Sequence, residues 1–112
     1  PVIAYPADVF LGQVQRRVIF PRLTRVGRVR PRLETALTLA ALEFARTGFA
    51  VAWIPEPLAR ADIQTGRLVE LSTTLPSVSM TLIAARMKDT ELPIIREVWD
   101  RIGATAQSQE DP

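Results

Sequence analysis

Short uninterrupted apolar runs alternate along the chain with stretches whose apolar residues recur at helical spacing. This order predicts an α/β domain with a largely parallel sheet. Apolar runs of the first kind occupy 2–5 and 49–54. The second run lies between Gly48 and Pro55, and its lack of polar side chains predicts a central strand that is covered on both faces.

Three further stretches are less regular. Segments 24–30 and 78–85 mix apolar and polar residues and predict two further strands, the first of them at an edge of the sheet before Pro31. Residues 103–112 are small and polar, which predicts a disordered tail.

The first predicted helix follows the opening strand. Asp8 can serve as its N-cap, and Pro21 is expected to end it. Its predicted buried stripe consists of Phe10, Val14 and Val18.

Three later helices are predicted from the same periodicity. The strongest stripe covers 33–47, with Glu34 or Thr35 at its start and Gly48 at the position of a left-handed C-terminal residue. A short helix at 58–64 follows and is closed by a glycine. The last helix presents one narrow stripe, formed by Leu92, Ile95, Trp99 and Ile102.

Composition narrows the possible functions. The 112 residues suffice for one domain at most, and they include no cysteine and no histidine. This excludes disulfides and thiolate metal sites and removes the commonest general base and metal ligand. The glycines form no Gly-x-Gly phosphate loop, and the serines lack a histidine to activate them. We therefore expect no enzyme activity, no cofactor and no metal, and no apolar stretch approaches the ~20 residues that span a membrane.

The charge distribution is uneven although the net charge is only +2. No acidic residue lies between Asp8 and Glu34, where seven arginines cluster. They are Arg16, Arg17, Arg22, Arg25, Arg28, Arg30 and Arg32. One interpretation is a surface for anions or nucleic acid. The favoured one is a solvated helix end and strand edge that face acidic groups elsewhere.

The stretch 34–71 carries a specific spacing. Its defining positions are Gly48, Val51, Ala52, Ile54 and Pro55, then Gly66, Leu68 and Val69. This spacing resembles the effector-binding domain of LysR-type transcriptional regulators, in which Gly-x-Gly-(Val/Ile)-Ala-x-(Leu/Ile)-Pro precedes a short helix and Gly-x-Leu-Val. Ala50 stands at the place of the second glycine.

The resemblance implies a type II periplasmic-binding-protein-like subdomain that is incomplete relative to the two-subdomain family fold. Residues 1–77 would form most of the second subdomain, and 78–102 a return strand and C-terminal helix. It also implies a cytoplasmic, self-associating regulatory fragment that binds a small effector in an inter-subdomain cleft. DNA would be read by a helix-turn-helix that these residues do not contain. The alternative is a fragment of a type II solute-binding protein.

The resemblance places effector contacts in two turns. These candidates are Pro6, Asp8, Phe10, Leu11 and Gly12 in the first turn, and Glu34 and Thr35 in the second. In the alternative interpretation, Asp8 and Thr35 only cap their helices and Phe10 packs in the core. Because Asp8 and Glu34 are both acidic, the chemical class of the effector stays open.

Overall fold

The computed structural model describes residues 1–23, 29–89 and 91–110, and the chain divides into two compact units, Pro1–Ser79 and Met80–Pro112. In chain order the elements are β1 (Val2–Ala4), α1 (Phe10–Val14), a π-helical segment (Gln15–Ile19), α2 (Phe20–Leu23), β2 (Pro31–Glu34), α3 (Thr38–Arg46), α4 (Glu56–Gln64) and α5 (Pro93–Glu110). Helices and parallel strands alternate in the first unit, which confirms the predicted α/β class.

The sheet of the first unit pairs β1 with β2 in parallel, from Val2 opposite Pro31 to Ala4 opposite Glu34. Most of the predicted strand at 24–30 lies outside the described residues. The prediction of a helix from residue 33 is wrong, because β2 occupies Pro31–Glu34 and α3 begins only at Thr38. The edge of β1 offers hydrogen-bond partners to this segment, and that tertiary pairing outweighs its helical apolar spacing.

Segment 49–54 runs parallel to β1 on the edge opposite β2. Within the described residues it forms a single bridge, in which Val51 N–H donates to Pro1 O at 2.9 Å and Val51 O accepts from Ile3 N–H at 3.0 Å. Its predicted position as a central strand covered on both faces is wrong: β1 lies between it and β2, and Phe49 is 51% exposed. An apolar run indicates shielding from water but does not specify the order of strands in a sheet.

The first helical stretch continues without interruption from Phe10 to Leu23. Its fully buried residues are Gly12, Gln15, Ile19 and Leu23. The predicted stripe is therefore wrong, because Val14 and Val18 are only half-buried and Phe10 is 66% exposed. The polar residue Gln15 lies at a core position, so the spacing of apolar residues did not identify the buried face of the helix.

Pro21 lies inside this helical stretch, so the prediction that it ends the helix is wrong. The π-helical segment directly precedes α2, and at its end Phe20 N–H donates to Gln15 O, five residues back. This register change interrupts the regular i→i−4 ladder at the place where the proline ring would disturb it. The helix can therefore continue to Leu23.

Helices α3 and α4 end as predicted at Gly48 and Gly66, whose φ angles of 77° and 81° are left-handed. Arg46, the last residue of α3, joins the two helices by donating from Nε and Nη2 to Asp62 Oδ2 at 3.0 and 2.8 Å. The hydrogen bond to Asp62, followed by that to Glu43, raises the pKa of Arg46 above its ordinary value. The guanidinium thus neutralises the carboxylate of Asp62, which is only 5% exposed.

The core of the first unit centres on Ile3, Tyr5 and Ala41, from β1, the residue after it, and α3. Partly buried apolar side chains surround this cluster: Val9, Leu11, Leu33, Ala50, Ala52 and Ile54. The carboxyl end of β1 is therefore anchored from several sides.

The second unit consists of an irregular stretch followed by α5. The predicted strand at 78–85 is wrong within the described residues, where this segment pairs with no other strand and Leu82 and Ile83 are 98% and 79% exposed. The predicted disordered tail is also wrong for 103–110, because α5 extends to Glu110. A single interior glycine such as Gly103 costs a helix only about 1 kcal/mol, which helix-favouring alanines nearby offset. The Arg86 guanidinium carbon lies 5.0 Å from the centre of the Trp99 ring.

Candidate functional site

The carboxyl ends of β1 and β2 lie side by side and bring two turns of the chain together. Ala4 and Glu34, the last residues of the strands, stand opposite each other, and Thr35 N–H donates to Ala4 O at 3.0 Å. In open α/β sheets, ligands bind outside this end of the strands, where the loops converge. The predicted site turns at 6–12 and 34–35 therefore meet at one edge of the sheet.

The first turn folds back at Pro6. Val9 N–H donates to Pro6 O at 3.2 Å, and Gln13 N–H donates to Val9 O at 3.0 Å as the helix begins. Gly12 is buried against this turn: a Cβ there would overlap the Pro6 carbonyl oxygen and lie 2.9 Å from the Tyr5 carbonyl oxygen. Glycine thus allows α1 to lie directly on the backbone of the turn.

The other predicted residues of the first turn differ in their surroundings. Leu11 packs against the core cluster, whereas Asp8 is exposed and Phe10 is 66% exposed. Capping of α1 by Asp8 is wrong, because the N-cap residue is Val9, the last residue in extended conformation. Core packing of Phe10 is wrong as well, since the turn directs this ring to solvent. Contact of either side chain with an effector stays a prediction.

The second turn is held by Thr35, whose Oγ1 accepts a hydrogen bond from Leu37 N–H at 3.1 Å. The N-cap residue of α3 is Leu37, so capping of that helix by Thr35 is wrong. The hydroxyl instead fixes the chain between β2 and α3. The Glu34 side chain is 58% exposed, and its Oε2 lies 3.8 Å from Arg16 Nη2.

Arg16 connects the two turns and was missed as a site residue. Its Nη1 donates to Tyr5 O at 2.6 Å and to Gly12 O at 3.3 Å, while Nη2 faces Glu34. The sequence placed Arg16 only in the basic cluster. Its spacing of four from Gly12 was the available signal, because such residues share one face of a helix. The contact with Glu34 agrees with the interpretation of this cluster as a helix end that faces acidic groups.

Gln15 and Tyr5 are buried polar residues at the end of β1, and sequence reasoning missed both. Tyr5 N–H donates to Gln15 Oε1 at 2.7 Å, and Gln15 Nε2 donates to Ile3 O at 3.1 Å. The Tyr5 hydroxyl donates to Trp53 O at 2.7 Å. Burial raises the pKa of Tyr5, and a hydrogen bond with Thr38 opposes that shift. These bonds keep the start of the first turn in place.

The polar groups of this edge suit binding by hydrogen bonds and charge. Asp8 and Glu34 supply exposed carboxylates, Arg16 a partly exposed guanidinium and Phe10 an exposed ring. In residues 1–23, 29–89 and 91–110, no three His, Cys, Asp or Glu side chains are grouped so as to hold a metal ion. No helix of these same ranges is long and apolar enough to cross a membrane.

Comparison with known families gives a match over most of the chain. A family model described as the LysR substrate binding domain matches residues 8–107 of the chain. Comparison with curated proteins and with solved structures found no match. The matched range includes both Gly12 and the second turn at 34–35, and it extends through most of α5.

Proposed function

Because the chain belongs to the LysR substrate binding domain family, we propose that it is the ligand-sensing regulatory part of a LysR-type transcriptional regulator. The ligand is a small-molecule effector, and the role is regulatory rather than catalytic. DNA recognition is assigned to a helix-turn-helix domain and not to these 112 residues.

One observation carries the position of the binding site: the turns at 6–12 and 34–35 meet at the carboxyl ends of two parallel strands. Gly12 and Arg16 hold the first turn, and Arg16 faces Glu34 of the second. A ligand that contacts both turns would bias their separation. If the effector binds one conformation of this edge more tightly than the other, its binding shifts the population toward the tighter-binding conformation.

The effector contacts are the seven predicted residues, with Arg16 added from the structure. The exposed Asp8, Phe10 and Glu34 side chains are suited to direct contact, whereas Pro6 and Gly12 shape the backbone that the ligand approaches. Charges of both signs lie at this edge, so the class of effector must be found by experiment. By resemblance to the family, this site would lie in a cleft between two type II periplasmic-binding-protein-like subdomains.

Self-association and a cytoplasmic location belong to the same proposal. The second unit exposes large apolar side chains, among them Leu82, Ile83 and Met87, and α5 exposes Ile94 and Val98. Exposed apolar side chains that gather into one patch are characteristic of protein interfaces. We expect copies of the chain to associate through it.

Effector binding is tested by NMR titration of the 15N-labelled chain with two matched series of probes. Benzoate, benzylamine and benzyl alcohol share a ring and differ in charge, and butyrate, butylamine and butanol repeat the comparison without a ring. We expect one charge class to shift the amide signals of 6–12 and 34–35. Thr35→Ala should weaken that binding about tenfold, the effect of losing roughly 1.4 kcal/mol of binding free energy.

Thr65→Ala is the matched control, since it removes a hydroxyl at the end of α4 that donates to Ala61 O. It should leave the affinity unchanged. Signal shifts confined to other parts of the chain, or an equal loss in both variants, would contradict the proposed site. Absence of binding by all six probes would contradict recognition of small ligands by this edge alone.

A further inference from the structure

One edge of β1 has four backbone groups that face segment 49–54: Pro1 O, Ile3 N–H, Ile3 O and Tyr5 N–H. Val51 uses the first two of these groups. In a regular parallel ladder, the next residue but one on the neighbouring strand, Trp53, would donate to Ile3 O and accept from Tyr5 N–H. The ladder does not continue in this way.

The Gln15 side-chain amide occupies both of these ladder positions. Its Nε2 donates to Ile3 O at 3.1 Å, and its Oε1 accepts from Tyr5 N–H at 2.7 Å. Gln15 is only 1% exposed, so both bonds are shielded from water. The Trp53 carbonyl oxygen is bound instead by the Tyr5 hydroxyl, at 2.7 Å. Trp53 N–H has no backbone acceptor among the described residues.

We propose that the Gln15 amide replaces Trp53 in the ladder and acts as a latch that holds residues 52–54 out of the sheet. When the amide leaves, Trp53 pairs with Ile3 O and Tyr5 N–H, and segment 49–54 becomes a full third strand. The two states use the same groups of β1, so they exclude each other. The proposal concerns the unliganded chain and does not depend on effector binding.

The position of Gln15 links this latch to the candidate site. Gln15 follows Gly12 on the same helix and is the first residue of the π-helical segment. The Gln15 amide binds Tyr5 N–H, and Tyr5 directly precedes the turn at Pro6. Release of the amide would therefore move the first turn as well. Gln15 is a positioning residue for that turn.

Amide hydrogen exchange measured by NMR tests the latch directly. In the wild-type chain, the Val51 and Tyr5 amides should exchange slowly, and the Trp53 amide should exchange within about tenfold of the rate of an unprotected amide. Gln15→Leu removes the amide from a buried site with little change in size. We expect it to slow exchange of the Trp53 amide by about tenfold or more while Tyr5 N–H stays protected, now by Trp53 O.

Gln13→Leu makes the same substitution at an exposed position of the same helix and should alter neither amide. Gln15→Glu keeps the acceptor for Tyr5 N–H but loses the donor to Ile3 O, so it should protect the Trp53 amide only in part. A wild-type Trp53 amide as slow as Val51 would overturn the proposal. So would a Gln15→Leu chain in which both the Tyr5 and Trp53 amides exchange fast, since Trp53 would then not replace the latch.

If Gln15→Leu does not fold while Gln13→Leu does, Gln15→Glu decides the question. Protection of its Trp53 amide above the wild-type level supports the latch. Protection at the wild-type level, or failure of this variant to fold, overturns it.

Discussion

Gly12→Ala is the sharpest perturbation of the candidate site, because its effect follows from backbone geometry alone. The added Cβ would overlap the Pro6 carbonyl oxygen and lie 2.6 Å from the Pro6 carbonyl carbon and 2.9 Å from the Tyr5 carbonyl oxygen. All three neighbours are backbone atoms, which cannot rotate away as a side chain can. Either α1 or the turn at Pro6 must move.

The expected cost comes from overpacking and from the loss of the turn. Forcing a methyl group into a close-packed site costs about 1–3 kcal/mol. Separation of the turn from α1 would also break the hydrogen bond from Val9 N–H to Pro6 O, which stabilises the fold by about 1 kcal/mol. Against this, alanine stabilises a helix by up to about 1 kcal/mol relative to glycine. A net loss of about 2 kcal/mol lowers the Tm of a unit of this size by about 8–16 °C.

The assay is thermal unfolding of the first unit, followed by the fluorescence of Trp53 in a Trp99→Phe background so that the second unit contributes no signal. Circular dichroism at 222 nm reports both units together. Gly103→Ala is the control, since a Cβ at that position in α5 would meet no described atom within 4 Å apart from its chain neighbours and the backbone of its own helix. It should stabilise its helix by up to about 1 kcal/mol.

The result that refutes this reasoning is a Gly12→Ala chain whose first unit unfolds at the wild-type Tm. The helix would then not need to lie on the Pro6 carbonyl. A loss of equal size in Gly103→Ala would also refute it, because the effect would then be unrelated to the space around each glycine.

Three further outcomes are expected. In urea unfolding, Asp62→Asn lowers the free energy of unfolding by about 1–2 kcal/mol, because it removes a buried charge beside its guanidinium partner. Glu56→Gln, in an exposed ion pair, changes the free energy of unfolding by less than about 0.5 kcal/mol. Equal losses in the two variants would contradict this difference in burial. Because burial raises the pKa of Tyr5 above its ordinary value of 10.0, the unfolded chain releases this proton first as the pH rises, so stability is unaffected below pH 10 and falls above it. Tyr5→Phe should cost about 1 kcal/mol at pH 8 through the lost hydroxyl bond and should remove part of the alkaline loss, and an unchanged pH profile would argue against burial of the hydroxyl. Leu82→Ser should reduce self-association, measured by light scattering, more than the control Val69→Ser. Both residues are largely exposed, at 98% and 80%, and Val69 lies in the first unit. The opposite order of effects would place the interface on the first unit.

Local signals in the sequence predicted the elements that depend on one or a few neighbouring residues. Gly48 and Gly66 were expected to end two helices, and both adopt the left-handed conformation that glycine enters without steric cost. The short helix after Pro55 and the first strand were also found where expected. The turns of the candidate site were placed by family resemblance, and the two strand ends bring them together.

Tertiary contacts decided the features that local patterns cannot encode. Residues 33 and 34 were predicted to begin a helix but belong to β2, because β1 supplies partners for their backbone. The latch residue Gln15 is polar, so no apolar periodicity could place it in the core.

By itself, the sequence determined where α3 and α4 stop, where the first strand lies and which family the spacing resembles. The tertiary structure decided which backbone groups those segments pair with. A hydrogen bond between residues far apart in the chain depends on the position of both partners, and Gln15 and Arg16 reach the end of β1 only after the helix has packed against it.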